Sequence, residues 1–207
     1  MRFRWTILAL PLALAGCGDN RIQTLDEQAN AARSQIEVQL QRRADLIPNL
    51  VSTVKGYAAH EDEVFTKVAE ARSALIGAIG THDPAQMAQA NDQATSALGR
   101  LLAISENYPQ LKADQSFLRL QDELTGTENR IAVARGDYNQ AAQAYNTFIR
   151  QFPQVLTAKA IGAKEKPYFE TLTPEARAVP TVDFTKPGAP PPAPAPAPAA
   201  PPAKKVP

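Results

Sequence analysis

From Ile22 onward the apolar residues of this chain step by three and four, and no stretch alternates as a strand would. Ile22, Leu25, Ala29, Ala32 and Ile36 open a stripe that continues through Leu40, Ile47, Leu50, Val54, Tyr57, Val64, Val68, Ala71 and Leu75. Such spacing gathers apolar side chains on one helix face, which must bury against another helix. Pro48 lies inside the stripe. A proline there lacks a backbone donor and crowds the carbonyl four residues back, so a kink or brief break is expected over residues 45–49. The stripe keeps its phase across Pro48, which favours a kinked rod over a hairpin.

Gly77, Gly80 and the run Thr81-His82-Asp83-Pro84 end this first segment, with Asp83 and Pro84 as N-cap and first turn of the next helix. Met87, Ala90, Ala94, Leu98, Leu101 and Ile104 mark that helix, which stops at Asn107-Tyr108-Pro109. The last long helix carries a heptad: Phe117, Leu124, Ile131, Tyr138, Tyr145 and Phe152 at one position, and Leu120, Thr127, Ala134, Ala141 and Phe148 at another. This is a coiled-coil-like seam, and a helix over residues 110–152 would be roughly 65 Å long. Short links between long helices make neighbours antiparallel. The expected fold class is therefore all-α: an elongated antiparallel bundle of three rods, the first kinked near Pro48, with the seam aromatics serving as core. The seam admits closure within one chain or between two.

Both ends differ from this body. Arg2 and Arg4 precede an apolar run over residues 6–15, about half the roughly 20 residues that span a bilayer as a helix. The run ends in Leu14-Ala15-Gly16-Cys17, which resembles the bacterial lipobox. That resemblance implies cleavage before Cys17 and lipid on its thiol, palmitate among the acyl chains, with the body held on the extracytoplasmic (periplasmic) side of the cell membrane or the outer membrane. At the other end, 10 of the 18 prolines fall between Pro187 and Pro207, a composition suited to polyproline II rather than a core. The expected organisation is a lipoprotein signal peptide (1–16), a lipid-anchored linker (17–21), the helical bundle (22–172) and a Pro/Ala-rich disordered tail (173–207).

The stretch SQIEVQLQRRADLIPNLV at 34–51 resembles the LemA family. The likeness continues through Thr53-Val54-Lys55-Gly56-Tyr57-Ala58, His60-Glu61, Ala71-Arg72, Glu106-Asn107-Tyr108-Pro109-Gln110-Leu111-Lys112-Ala113, Leu120-Gln121 and Glu128-Asn129-Arg130-Ile131. It reaches Tyr138-Asn139, Tyr145-Asn146, Phe152-Pro153 and Tyr168-Phe169-Glu170, about residues 30–170 in all. The resemblance implies a long-helix bundle tethered at its N-terminus and held outside the cytoplasm. Most members carry a short transmembrane segment there, where this chain has the lipobox; the proline-rich tail is a second departure.

Charge narrows the function. The 22 basic and 21 acidic residues nearly cancel, without the basic stripe of a nucleic-acid binder. The one cysteine excludes an internal disulfide or a cysteine metal cluster. His60-Glu61-Asp62-Glu63 lacks the second histidine of a helical HExxH site, Val64 standing at that position, so no metal and no cofactor is expected. No phosphate loop, dinucleotide fingerprint or nucleophile elbow is present, and no catalytic residue is assigned. The charged and polar residues around the motif, Arg42, Arg43, Asp45, Pro48, Asn49, Lys55, Tyr57, His60 and Glu61, form the candidate patch. It reads either as an interaction surface or as an internal network tying the first rod to its neighbours. Arg43 and Glu61 fall on the apolar stripe, where a charge needs a partner. The expected function is a non-enzymatic scaffold or adaptor that binds envelope proteins, or itself, with membrane lipid held through Cys17. The alternative is a module binding a small ligand, lipid or peptidoglycan.

Overall fold

The structure, a computed structural model, describes residues 6–170, with side chains from residue 20 onward. Cys17 and the signal-peptide boundary fall where only backbone is described, so lipidation and cleavage are not tested there, and the proline-rich tail lies outside the described residues. Six helices follow one another: α1 (Thr6–Lys55), α2 (Asp62–Thr81), α3 (Pro84–Ile104), the single turn α4 (Pro109–Lys112), α5 (Gln115–Arg150) and α6 (Gln154–Ile161). No strand occurs among the described residues. The all-α, antiparallel class is thus as the periodicity predicts.

The first rod, however, divides into two helices. α1 continues as helix through Pro48 and ends at Lys55. The chain then reverses over residues 56–61, where Ala58 turns into the core and its amide bonds to the carbonyl of Val54 (2.9 Å). α2 runs back along α1, as Arg72 at Ala44 and His82 at Glu37 show. The physical reason is local. Lys55 sits in the last turn of α1, where a cation meets the negative helix end, and Asp62 and Glu63 open α2, where anions meet the positive end. Unbroken phase at Pro48 therefore coexists with a reversal eight residues later.

At Pro48 the bundle supplies what the proline removes. Pro48 has no amide hydrogen, so the Ala44 carbonyl lacks its helical donor. Arg72 Nε of α2 donates to that oxygen at 2.9 Å. The break in the helical ladder becomes a tie between neighbouring helices.

α2 closes on His82, a left-handed residue with φ 55°, and Asp83 caps α3 by accepting from the Ala85 amide at 2.9 Å. α3 returns parallel to α1: Met87 shares an apolar cluster with Ile36 and Leu40, and Leu101 shares one with Leu50 and Val54. α5 descends antiparallel to α1, with Arg42 against Glu123 and Gln39 against Arg130. The topology over residues 36–54 is an up-down-up-down four-helix bundle. Leu40, Leu50, Leu75, Met87, Leu101 and Ile131 are fully buried in it. Each such side chain contributes about 1.5–3 kcal/mol through burial.

Toward its N-terminus α1 outlasts α2 and α3. There it packs on α5, α6 and the segment that follows α6, around Ile22, Leu25, Tyr145, Ile149 and Ala158. This stalk is the second half of the molecule.

The α5 seam holds for Phe117, Leu124, Ile131, Tyr138 and Tyr145, all buried, as core aromatics and aliphatics. Its second position drifts, from Thr127 and Ala134 to Ala142 and Ile149. A helix of 3.6 residues per turn slips against a strict heptad by about 20° per repeat, which accounts for the change. The helix itself is shorter than 110–152. α4 is a separate turn, Asp114 caps α5, and the helix ends at Arg150. Phe152 leaves the seam and is 81% exposed, because a residue before proline is driven out of helical geometry.

Candidate functional site

The sequence-selected residues occupy three places rather than one patch. Arg43 is interior, only 5% exposed. Its Nη1 donates to Asn91 Oδ1 (2.6 Å) and pairs with the Glu128 carboxylate, while Nη2 donates to Thr95 Oγ1 (3.0 Å). These contacts bind α1 to α3 and α5 at one level. Burial pulls the guanidinium pKa below its ordinary value, and the Glu128 and Asp92 carboxylates oppose that shift. Arg43 Nε is buried with no hydrogen-bond partner. Arg43 thus belongs to an internal network and is withdrawn from any surface patch.

Arg42, Asp45, Pro48 and Asn49 lie on the outer face of α1. Arg42 pairs with Glu123 at 2.6 Å, and Asp45 accepts from Gln41 Nε2 at 2.8 Å. Both contacts are exposed, and such pairs contribute at most about 1 kcal/mol. Beside Pro48 an open groove of about 460 Å³ runs between α1 and α2, lined by Ile47, Val51, Lys55, Phe65 and Arg72 among others. The Lys55 ammonium lies 5.0 Å from the Phe65 ring centre, a cation–π contact at the groove wall.

Tyr57, His60 and Glu61 form the third place, the tip of the bundle farthest from the α1 N-terminus. The tip is built from the residue 56–61 turn and the segment around α4. Tyr57 OH donates to Asp114 Oδ2 at 2.8 Å, and Asp114 Oδ1 accepts from the Ser116 and Phe117 amides at 2.8 and 2.9 Å. The amide bond from Phe117, then the bond from Tyr57, hold the Asp114 carboxyl below the usual carboxylate range; the same Asp114 pushes the Tyr57 phenol up. Tyr108 OH donates to Glu61 Oε1 at 3.5 Å, and Lys112 pairs with Glu106 at 2.7 Å. His60 is exposed. Among the described residues no cluster of three or more His, Cys, Asp or Glu is placed to hold a metal ion.

Sequence reasoning missed a fourth arrangement, which runs from the stalk to the four-helix half, where Phe169 joins the cluster of Ile36, Leu75 and Met87. After α6 the chain returns along α5 as an extended strap. Asn146 receives the Lys166 amide on Oδ1 (2.8 Å) and donates Nδ2 to the Lys166 carbonyl (2.8 Å). Asn139, seven residues earlier, does the same for Phe169 (2.8 and 3.1 Å). Each asparagine thus pairs with the strap backbone as a neighbouring strand would. Tyr138 OH donates to the Pro167 carbonyl at 2.7 Å, and Lys166 Nζ reaches Asp26 and Asn30 of α1, both at 2.9 Å. Phe169 is buried at 2% exposure under Arg135, whose guanidinium lies 5.0 Å from the ring centre. Burial raises the Tyr138 and Tyr145 phenols above their ordinary pKa. The one available signal was the repeated Tyr-Asn pair at 138–139 and 145–146.

These features define a class: a long-helix bundle with a four-helix body, a stalk of α1, α5 and α6, and a strapped C-terminal segment. A sequence model described as the LemA family matches residues 32–184, and the chain belongs to that family. The magnetosome protein MamQ 1 of Paramagnetospirillum magneticum is 32% identical over 174 residues, covering 73% of this chain and 64% of the relative. MamQ of Magnetospirillum gryphiswaldense is 31% identical over 173 residues (72% and 64%), and Protein LemA of Metamycoplasma hominis is 26% identical over 133 residues (64% and 60%). The chain therefore spans a little under two thirds of the length of these relatives. No helix among the described residues is long and apolar enough to cross a membrane.

Proposed function

We propose that this chain is a membrane-tethered, non-enzymatic adaptor of the cell envelope, held by lipid on Cys17 with its bundle on the extracytoplasmic side. Membership of the LemA family and relatives named for the magnetosome support membrane association. The observation that carries the adaptor reading is the separation of ends. The α1 N-terminus leads from the stalk, and the groove at Pro48 and the tip at residues 56–61 lie at the other end. Residues 22–55 of α1 alone extend about 50 Å. A bundle so mounted holds its groove and tip clear of the membrane for another envelope protein.

The test is isolation of the acylated protein from crosslinked native membranes. A recurrent envelope protein, crosslinked to residues 42–61, supports the reading. Crosslinks confined to this chain, or none, overturn it. The open groove favours a second reading, a module for a lipid or peptidoglycan fragment, with Lys55 and Arg72 as its cations. Purified protein would then bind such a fragment unaided, and binding unchanged by Lys55→Ala with Arg72→Ala would count against it.

A further inference from the structure

We infer that the turn between α5 and α6 is a membrane-contacting foot, a peptide contact with the lipid surface beside the acylated N-terminus. The inference rests on the tethered reading above and adds a defined surface and a defined partner to it. Phe152 is 81% exposed and Leu156, four residues on in the first turn of α6, is 60% exposed, the two apolar side chains of this turn that face water most openly. Neither is needed by the core, since α6 is held by Ala158 against Ile22, Tyr145 and Ile149.

Position identifies the partner. Ile22 and Ile149 share one apolar cluster in the antiparallel α1–α5 pair, so α5 approaches the end from which α1 leads back to Cys17. Cys17 is five residues before Ile22, about 8 Å along a helix, and Phe152 is three residues beyond Ile149. Acyl chains on Cys17 would bring the bilayer surface to the height of the turn. Elsewhere a phenylalanine so exposed would simply lose free energy to water; here the interface would take it in.

Charge is complementary as well. Residues 150–166 carry Arg150, Lys159, Lys164 and Lys166 against Glu165 alone. Lys166 is committed to Asp26, Arg150 stands two residues before Phe152 and 3.7 Å from Glu165, and exposed Lys159 stands three residues beyond Leu156. Cations beside an apolar wedge suit a surface of anionic lipid headgroups. With acyl chains and a foot, the tether has two contacts, and two contacts fix the direction in which the stalk stands.

The chain supplies a clean reporter, because its single tryptophan, Trp5, lies in the leader. Phe152→Trp, on an exposed side chain, puts one tryptophan in the mature protein. Val133→Trp does the same at a 65% exposed site in the middle of α5. Both acylated proteins, purified from membranes and reconstituted in phosphatidylglycerol-containing vesicles, are read by emission wavelength and by quenching with brominated acyl chains. The expected result is a blue shift and loss of emission at 152, with neither at 133. If the protein floats with the vesicles while residue 152 stays red-shifted and open to aqueous acrylamide, the foot is overturned and the tether stands. A blue shift at 152 without quenching by brominated lipid assigns the turn to a second copy and equally overturns the foot. A protein that does not associate with vesicles at all overturns the tether, and the foot with it.

Discussion

In the four-helix half, residues 36–54 of α1 meet α2, α3 and α5 through side chains such as Leu40, Leu50, Leu75, Met87 and Ile131, each fully buried. In the stalk, α1 meets only α5, α6 and the strap. There a small apolar cluster (Ile22, Leu25, Tyr145, Ile149 and Ala158) is joined by polar ties, Asn146 on the strap backbone and Lys166 on Asp26 and Asn30, while Tyr138 and Asn139 hold the strap where it enters the four-helix half. The difference follows from layer count. Four helices enclose a large apolar interior, whereas α1, α5 and α6 enclose a smaller one around Ile22, Tyr145 and Ile149, and directed hydrogen bonds fasten the strap beside it.

The comparison breaks most visibly through the core. Ile131→Ala should remove about 4 kcal/mol of global stability, seen as a lower denaturant midpoint. A loss under about 1 kcal/mol would mean that α5 is not central to the four-helix half. Arg43→Ala comes next, at about 3 kcal/mol, since it leaves Asn91 and Glu128 without the cation that joins them. Arg43→Met, which fills the same space, should recover much of that loss; failure to recover would assign the network more than packing. In the stalk, Asn146→Ala deletes both bonds to Lys166, about 2 kcal/mol in total. Its signature should be local: faster hydrogen exchange at the Lys166 and Phe169 amides, with the amides around Ile131 still protected. Protection lost equally in both halves would show that the strap and the four-helix body unfold as one unit.

The smallest effect is pH-dependent and sits at the tip. Asp114 has a folded pKa below its unfolded one, so its contribution is present above the unfolded value. It disappears as pH falls through the depressed folded pKa. Exchange at the Ser116 and Phe117 amides should rise over that acid window, and Tyr57→Phe should move the Asp114 titration back toward the ordinary carboxylate range. A titration unchanged by Tyr57→Phe would remove the phenol from the account.

What the sequence discloses divides along the same line. Ile131, Leu98 and Leu50 are legible because burial on one helix face imposes a three-and-four spacing. Arg43 is legible as a charge in need of partners, but Asn91, Thr95 and Glu128 belong to other helices and no local pattern links them. The reversal at residues 56–61 is hidden because apolar steps continue on both sides of it. Gly56 after Lys55, with the acidic start at Asp62 and Glu63, was the signal available. Pro153 similarly marks the end of α5 before Phe152, against the heptad. The strap is the least legible element. Asn139 and Asn146 grip backbone, which any residue would present, so the sequence at 163–170 carries no trace of the pairing.

The central claim is that the bundle stands on a membrane by its stalk and offers its far end to a protein. A photoreactive residue placed at exposed position 60, against another at 133 on the flank of α5, tests that in living cells. The account predicts one recurrent envelope protein crosslinked from position 60 and not from 133. Adducts equal from both positions, or none from position 60, would contradict it.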